Sequence, residues 1–145
     1  MNRTILIVDD ERDTAELLAE LLHLHGYKTI AVVSAEQCIE HLEHEPIDVV
    51  ITDVMLPGLS GTALCERLRR FYPEVLAIVV TGRSNFDMAI EALRAGAYDY
   101  IAKPVKIDVL ELALIRAFEH LELRREVGRL RQVIEADPLN GVAGE

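Results

Sequence analysis

A chain of 145 residues, half of them hydrophobic, is long enough for one ordinary core and too short for two comfortable domains. Its formal charge of -10 is uneven: residues 1–105 carry 9 Lys/Arg against 17 Asp/Glu, and residues 106–135 carry 6 of each, so the globular part is the acidic part and direct nucleic-acid binding through it is disfavoured. No apolar run approaches the ~20 residues of a membrane span, no export signal opens the chain, and Cys38 and Cys65 lie far apart without CxxC spacing, so the expectation is a cytoplasmic protein with reduced, packed thiols and no membrane partner.

Strand and helix patterns alternate along the chain. Thr4 to Val8 is an apolar strand that runs into Asp9-Asp10-Glu11. Asp13-Thr14 resembles a helix start, Leu17, Leu18, Leu21, Leu22 and Leu24 give an apolar face, and Gly26 ends it. Tyr27 to Val33 is a second, β-branched strand. Ser34-Ala35-Glu36-Gln37 has the form of a capping box, and the helix behind it carries Cys38, Ile39 and Leu42 before Pro46. Ile47 to Asp53 is the third strand, an apolar run closed by Pro57-Gly58 and therefore buried on both faces. A helix with Leu64, Leu68 and Phe71 on one face follows the loop Gly58 to Gly61 and stops at Pro73. Val75 to Val80 is the fourth strand, ending at Thr81-Gly82. Ser84 or Asn85 caps the next helix, which carries Met88, Ala89, Ala92 and Leu93 up to Ala95-Gly96. Ala97 to Ala102 is a short fifth strand leading into Lys103-Pro104, and a last helix runs from near Ile107 to about Glu135.

Five strand–helix units in this order predict an α/β fold: parallel strands, right-handed crossovers, helices on both faces. Ligands bind such sheets beyond the carboxyl ends of the strands, at the switch point of strand order. Four strands end there in polar residues: Asp9 and Asp10, Asp53, Thr81, and Lys103. Crowded carboxylates repel one another, so either one keeps a proton or a cation neutralises them. An all-oxygen site with open positions suits Mg²⁺, which keeps several waters and accepts phosphate oxygens. A carboxylate beside such a cation and a lysine is a plausible phosphoryl acceptor, with a hydroxyl such as that of Thr81 bonding a remaining oxygen.

Asp9-Asp10, Asp53 with its Met-Leu-Pro-Gly sequel, Thr81-Gly82, Tyr100 and Lys103-Pro104 together resemble the receiver domain of two-component response regulators, over residues 3 to about 122. The resemblance implies a chemotaxis-regulator-like (βα)5 fold with strand order 2-1-3-4-5 and a sensor histidine kinase as partner. It implies that Asp53 is the phosphoacceptor and that Asp10, Asp53 and the Met55 backbone carbonyl ligate Mg²⁺, with Asp9 acting mainly through water. Lys103 and Thr81 would grip the phosphoryl group, Tyr100 would change rotamer as Thr81 moves, and the Lys103-Pro104 bond would be cis. The run AGAYDYIAKP and the helix ending EHLELRREVGRLRQ are similar to receivers of enhancer-binding activators of the nitrogen-regulation type. Gly141 to Glu145 resembles the opening of their ATPase domain, which implies a chain cut at a domain junction: receiver 1–122, helical linker 123–137, tail 138–145.

Blander readings stand beside these. Asp9-Asp10 alone is also what a helix N-terminus favours, and Tyr100 alone is also a half-buried strand aromatic. His41 and His44 form a solvated helix face. Met55 and Arg83 gain interest only from lying two residues beyond Asp53 and Thr81, where they would tune the lifetime of a phosphorylated state. The rival function is an Mg²⁺-dependent phosphohydrolase passing through an aspartyl-phosphate. Those enzymes carry a second Asp two residues after the nucleophile, where this chain has Met55. A receiver-like binding module that is never phosphorylated is the third reading, and the full acid–lysine set speaks against it. Leu123, Val127, Leu130 and Ile134 step by 4, 3 and 4, the seam of a short coiled coil, so the last helix should project beyond about His120 and pair with a second copy.

Overall fold

The computed structural model describes residues 3–82 and 85–136. The elements are β1 (Thr4–Val8), α1 (Arg12–Leu24), β2 (Lys28–Val32), α2 (Ala35–His44), β3 (Val49–Asp53), α3 (Gly61–Phe71), β4 (Leu76–Thr81), α4 (Phe86–Ala95), β5 (Asp99–Ala102) and α5 (Ile107–Ala136). The sheet order is β2-β1-β3-β4-β5 and every pairing is parallel.

Because side chains alternate across a strand, each central strand feeds two cores. Ile5, Ile7, Val49, Ile51 and Ile78 pack with Ala15, Leu22, Leu110, Leu114 and Phe118 of α1 and α5. Leu6, Val8, Val50, Ala77 and Val79 pack with Cys38, Leu42, Leu64, Cys65 and Leu68 of α2 and α3, and with Ala92 of α4. All residues of β1, β3 and β4 are buried, whereas the edge strands β2 and β5 are mostly partly open. Both cysteines are free and buried, and burial pushes their thiols up to about 12, the behaviour of packing residues.

The strands after β1 begin one or two residues later than their apolar runs. Tyr27, for example, gives its N–H to the Leu22 carbonyl at 3.2 Å and stacks its ring on Phe118 at 5.6 Å, which makes it part of the end of α1. In α1 the five leucines do not share a face. Ala15, Ala19 and Leu22 are buried at helical spacing, and Leu17 and Leu24, seven apart, are 59% and 75% exposed. Phe71 likewise lies outside the core at 59% exposure, in the last turn of α3, with the Arg70 guanidinium 5.3 Å from its ring centroid. The Ser34 box forms with a shift: Ser34 accepts from Gln37 N–H at 3.1 Å, and Gln37 reaches the Val33 N–H at 2.9 Å. Asn85 stands at the N-cap of α4 without a side-chain cap bond, and Ser84 lies outside the described residues.

Candidate functional site

Three strands deliver the acids and the base to one edge of the sheet. β1 ends at Val8 and puts Asp9 beyond it, β3 ends on Asp53 itself, and β5 ends at Ala102 with Lys103 next. β1 lies between β2 and β3, so the chain's direction of winding reverses there, and the crevice opens at that switch point. Asp53 is buried, Asp9 half-buried and Asp10 exposed. Carboxylate oxygens of the three lie within 4.8 Å of one another, and this is the one such group of three among the described residues.

Both oxygens of Asp53 are engaged. Oδ2 accepts from Lys103 Nζ at 2.6 Å and Oδ1 accepts from the Met55 N–H at 3.1 Å. Asp9 Oδ1 accepts from the Glu11 N–H at 2.9 Å. Burial holds the Asp9 carboxyl above the usual carboxylate range and the nearby Asp53 charge adds to this, while the Glu11 N–H opposes it. Lys103 is shifted up, first by its hydrogen bond to Asp53; burial is the next effect and opposes it, and the charges of Asp53, Asp9 and Glu11 add smaller upward contributions. A lysine drawn onto a carboxylate, with two further carboxylates beside it, marks a locally negative site. A hard divalent cation with open positions fits this all-oxygen donor set.

The other expected residues are placed differently. Thr81 ends β4 beside the site, but its hydroxyl is turned to its own loop, 3.0 Å from the Asn85 carbonyl and 3.2 Å from that of Gly82. Tyr100 is 37% exposed on β5 and meets the Phe86 ring edge-on at 6.0 Å between centroids. Met55 is 52% exposed beside Asp53. The Lys103-Pro104 bond is cis. Arg83 lies outside the described residues, as do Gly141 to Glu145. Sequence reasoning missed Phe86, a lone aromatic at a helix start, and Gly61, read only as loop. It also missed a cleft of about 360 Å³ that continues from the acids along Leu17, Leu18 and Leu21 to Pro104 and Val105. The exposure of Leu17 was the available signal, visible only once the α1 face is known.

Residues 5–115 match the family described as the response regulator receiver domain, and the chain belongs to that family. Receiver domains are signalling domains and not classical enzymes. The nitrogen assimilation regulatory protein NtrX of Azorhizobium caulinodans is 35% identical over 143 residues, 97% of this chain and 32% of that protein. Crystalline NtrX of Brucella abortus superposes with a TM-score of 0.83 at 36% identity, covering 90% of this chain and 30% of that one. A receiver domain protein of Clostridium thermocellum gives 0.79 at 32% identity over 83% of this chain and 98% of its own. The chain thus spans about a third of the length of the curated relative it matches. The strand order implied by the family resemblance is the one observed.

Proposed function

We propose that this chain accepts a phosphoryl group on Asp53 from the phosphohistidine of a sensor kinase, with Mg²⁺ held by Asp10, Asp53 and the Met55 carbonyl and with Asp9 acting through water. The observation that carries the reading is Lys103 Nζ at 2.6 Å from the buried Asp53, inside a cluster of two further carboxylates. The bond from phosphorus to the histidine nitrogen breaks, a bond to an Asp53 oxygen forms, and the imidazole, already protonated on its other ring nitrogen, leaves as the neutral ring. The cation supplies charge neutralisation for the phosphoryl oxygens. Lys103 gives up its present contact with Asp53 to hold one of those oxygens. Thr81 rotates its hydroxyl away from the Asn85 carbonyl to donate to another. That rotation empties space beside β4, and Tyr100, edge-on to Phe86, turns inward to fill it.

The face altered by this step is made by α4, β5 and α5, where Tyr100, Val109 and Leu112 are exposed. A change there, passed along α5 to a second copy, would control a transcriptional output domain of the enhancer-binding type, as the nitrogen-regulation resemblance implies. On this reading residues 1–122 are the receiver, 123–137 a linker and 138–145 a tail at a domain junction. The chain works in the cytoplasm, and catalyses only its own phosphorylation and dephosphorylation. Among the described residues no helix is long and apolar enough to cross a membrane.

Incubation with a small acyl phosphate and Mg²⁺ should add one acid-labile phosphoryl group, seen by intact mass. Asp53→Asn should abolish it. Labelling of that variant at the wild-type rate would sink the assignment.

A further inference from the structure

Gly61 opens α3 and donates its N–H to the Val54 carbonyl at 3.1 Å, so the first turn of the helix rests on the chain just as it leaves β3. A Cβ at this position would overlap the Asp53 carbonyl oxygen and stand 2.8 Å from Val54 Cα and 3.1 Å from the Asp53 carbonyl carbon. These are backbone atoms, so no side-chain rotation relieves the overlap. On the opposite side Val54 gives its N–H to the Val80 carbonyl at 3.0 Å, and Met55 gives its own to Asp53 Oδ1 at 3.1 Å. The Asp53–Val54 peptide is thus held between β4 and the start of α3.

Either the helix or the peptide would have to yield to an added methyl group. The peptide lies at the last residue of β3, where the strand gives way to loop, whereas the helix is firmly anchored. Ser60 caps it through the Ala63 N–H at 3.1 Å, and Leu64, Cys65 and Leu68 are fully buried beneath it. Displacement therefore falls on the segment from Asp53 to Met55. From this we infer that Gly61 is a positioning residue: the missing side chain sets where the Asp53 carboxylate and the Met55 backbone stand relative to Asp9, Asp10 and Lys103. The inference rests on Asp53 being the acceptor.

Gly58 supplies the control. It lies in the same loop at φ +76°, so a side chain there is strained, but its Cβ would meet only the flexible Glu36 carboxylate at 3.3 Å and nothing of Asp53. The full chain would be compared as wild type, Gly61→Ala and Gly58→Ala. Three readouts are taken: thermal unfolding in EDTA, the Mg²⁺ dissociation constant by NMR titration, and the phosphorylation rate with a small acyl phosphate at saturating Mg²⁺. Trimethylamine oxide is added where a variant needs help to fold. Gly61→Ala should weaken Mg²⁺ binding at least about tenfold and slow phosphorylation about a hundredfold, the scale of an ångström-sized misplacement. Gly58→Ala should lose stability and keep both constants within about twofold of wild type. A Gly61→Ala protein with smaller losses, or one that fails to fold even in the osmolyte, would overturn the proposal by assigning the glycine to the fold alone. Equal damage from Gly58→Ala would overturn it too. If wild type takes up no phosphoryl group, the acceptor reading fails, while the Mg²⁺ constants still decide whether Gly61 places the carboxylates.

Discussion

Met55 lies two residues beyond Asp53, 52% exposed, with its N–H on Asp53 Oδ1. Hydrolysis of an aspartyl-phosphate needs a water in line with the bond from phosphorus to the Asp53 oxygen. A thioether is a weak acceptor and no donor, so it orients that water poorly. A carboxamide in its place offers both functions, and Met55→Asn should shorten the half-life of the phosphorylated protein by several-fold. The decay of the intact-mass peak after donor removal measures this, and an unchanged or longer half-life would show that the side chain does not govern water's approach. At this scale the acids and Lys103 were legible because carboxylates at strand ends are conspicuous in an apolar sequence. Gly61 and the Thr81–Asn85 contact were not, since neither a close approach of backbones nor a hydroxyl's rotamer leaves a mark on residue spacing.

α5 shows the same division between pattern and context at the scale of an element. Its periodicity predicted one helix to about Glu135, and one helix runs to Ala136. Leu121 is buried, and beyond it residues 122–135 are exposed, Leu123, Val127, Leu130 and Ile134 by 66%, 45%, 51% and 53%. Three arginine contacts fix the direction in which the helix leaves the domain, a feature no periodicity encodes. Arg124 donates to the Pro73 carbonyl at 2.9 Å, Arg125 pairs with Asp48 at 2.7 Å, and Arg3 pairs with Glu122 at 3.3 Å. Because the seam side chains are already partly covered, at 45–66% exposure, burying eight of them in a two-stranded coil would contribute roughly 6–13 kcal/mol. Association and ordering offset ~4–15 kcal/mol of that. A narrow balance of this kind would let a shift of a few kcal/mol at the receiver face choose between the proposed dimer forms. The expected result is a dimer at micromolar concentration whose affinity changes with beryllofluoride and Mg²⁺. Truncation after Arg125 keeps the arginine ties and removes most of the seam. It should weaken the dimer strongly, and Leu130→Asp should do nearly the same. Equal sedimentation of the two lengths would move the interface onto the globular face.

The molecule as a whole sets its stability against its site. β1, β3 and β4 are buried on both faces, so the alternation of strands and helices and the parallel sheet were readable from apolar runs and turn signals, while the strand order came from the family resemblance. The helix faces were less so, because in α1 leucine count misled where alanine spacing decided the packing. At the carboxyl edge of the sheet the same architecture gathers like charges in a protein already at -10. Asp9 is held above its ordinary range, first by burial and then by the nearby charge of Asp53. A raised carboxyl means that the ionised form costs the native state stability at neutral pH. A cation that binds only the folded chain relieves the repulsion and adds its own linkage, ~2.7 kcal/mol at a hundredfold excess over the dissociation constant. Two opposite consequences follow for one variant. In EDTA at neutral pH, Asp9→Asn should unfold at a higher temperature than wild type, because a neutral amide replaces the disfavoured charge. With Mg²⁺ added, wild type should gain far more than the variant, and their order should narrow or reverse. Calorimetric scans of both proteins in EDTA and in excess Mg²⁺ decide the matter. A variant less stable than wild type in EDTA, or one gaining as much from Mg²⁺, would mean that Asp9 holds the fold together and does not serve the cation at that fold's expense.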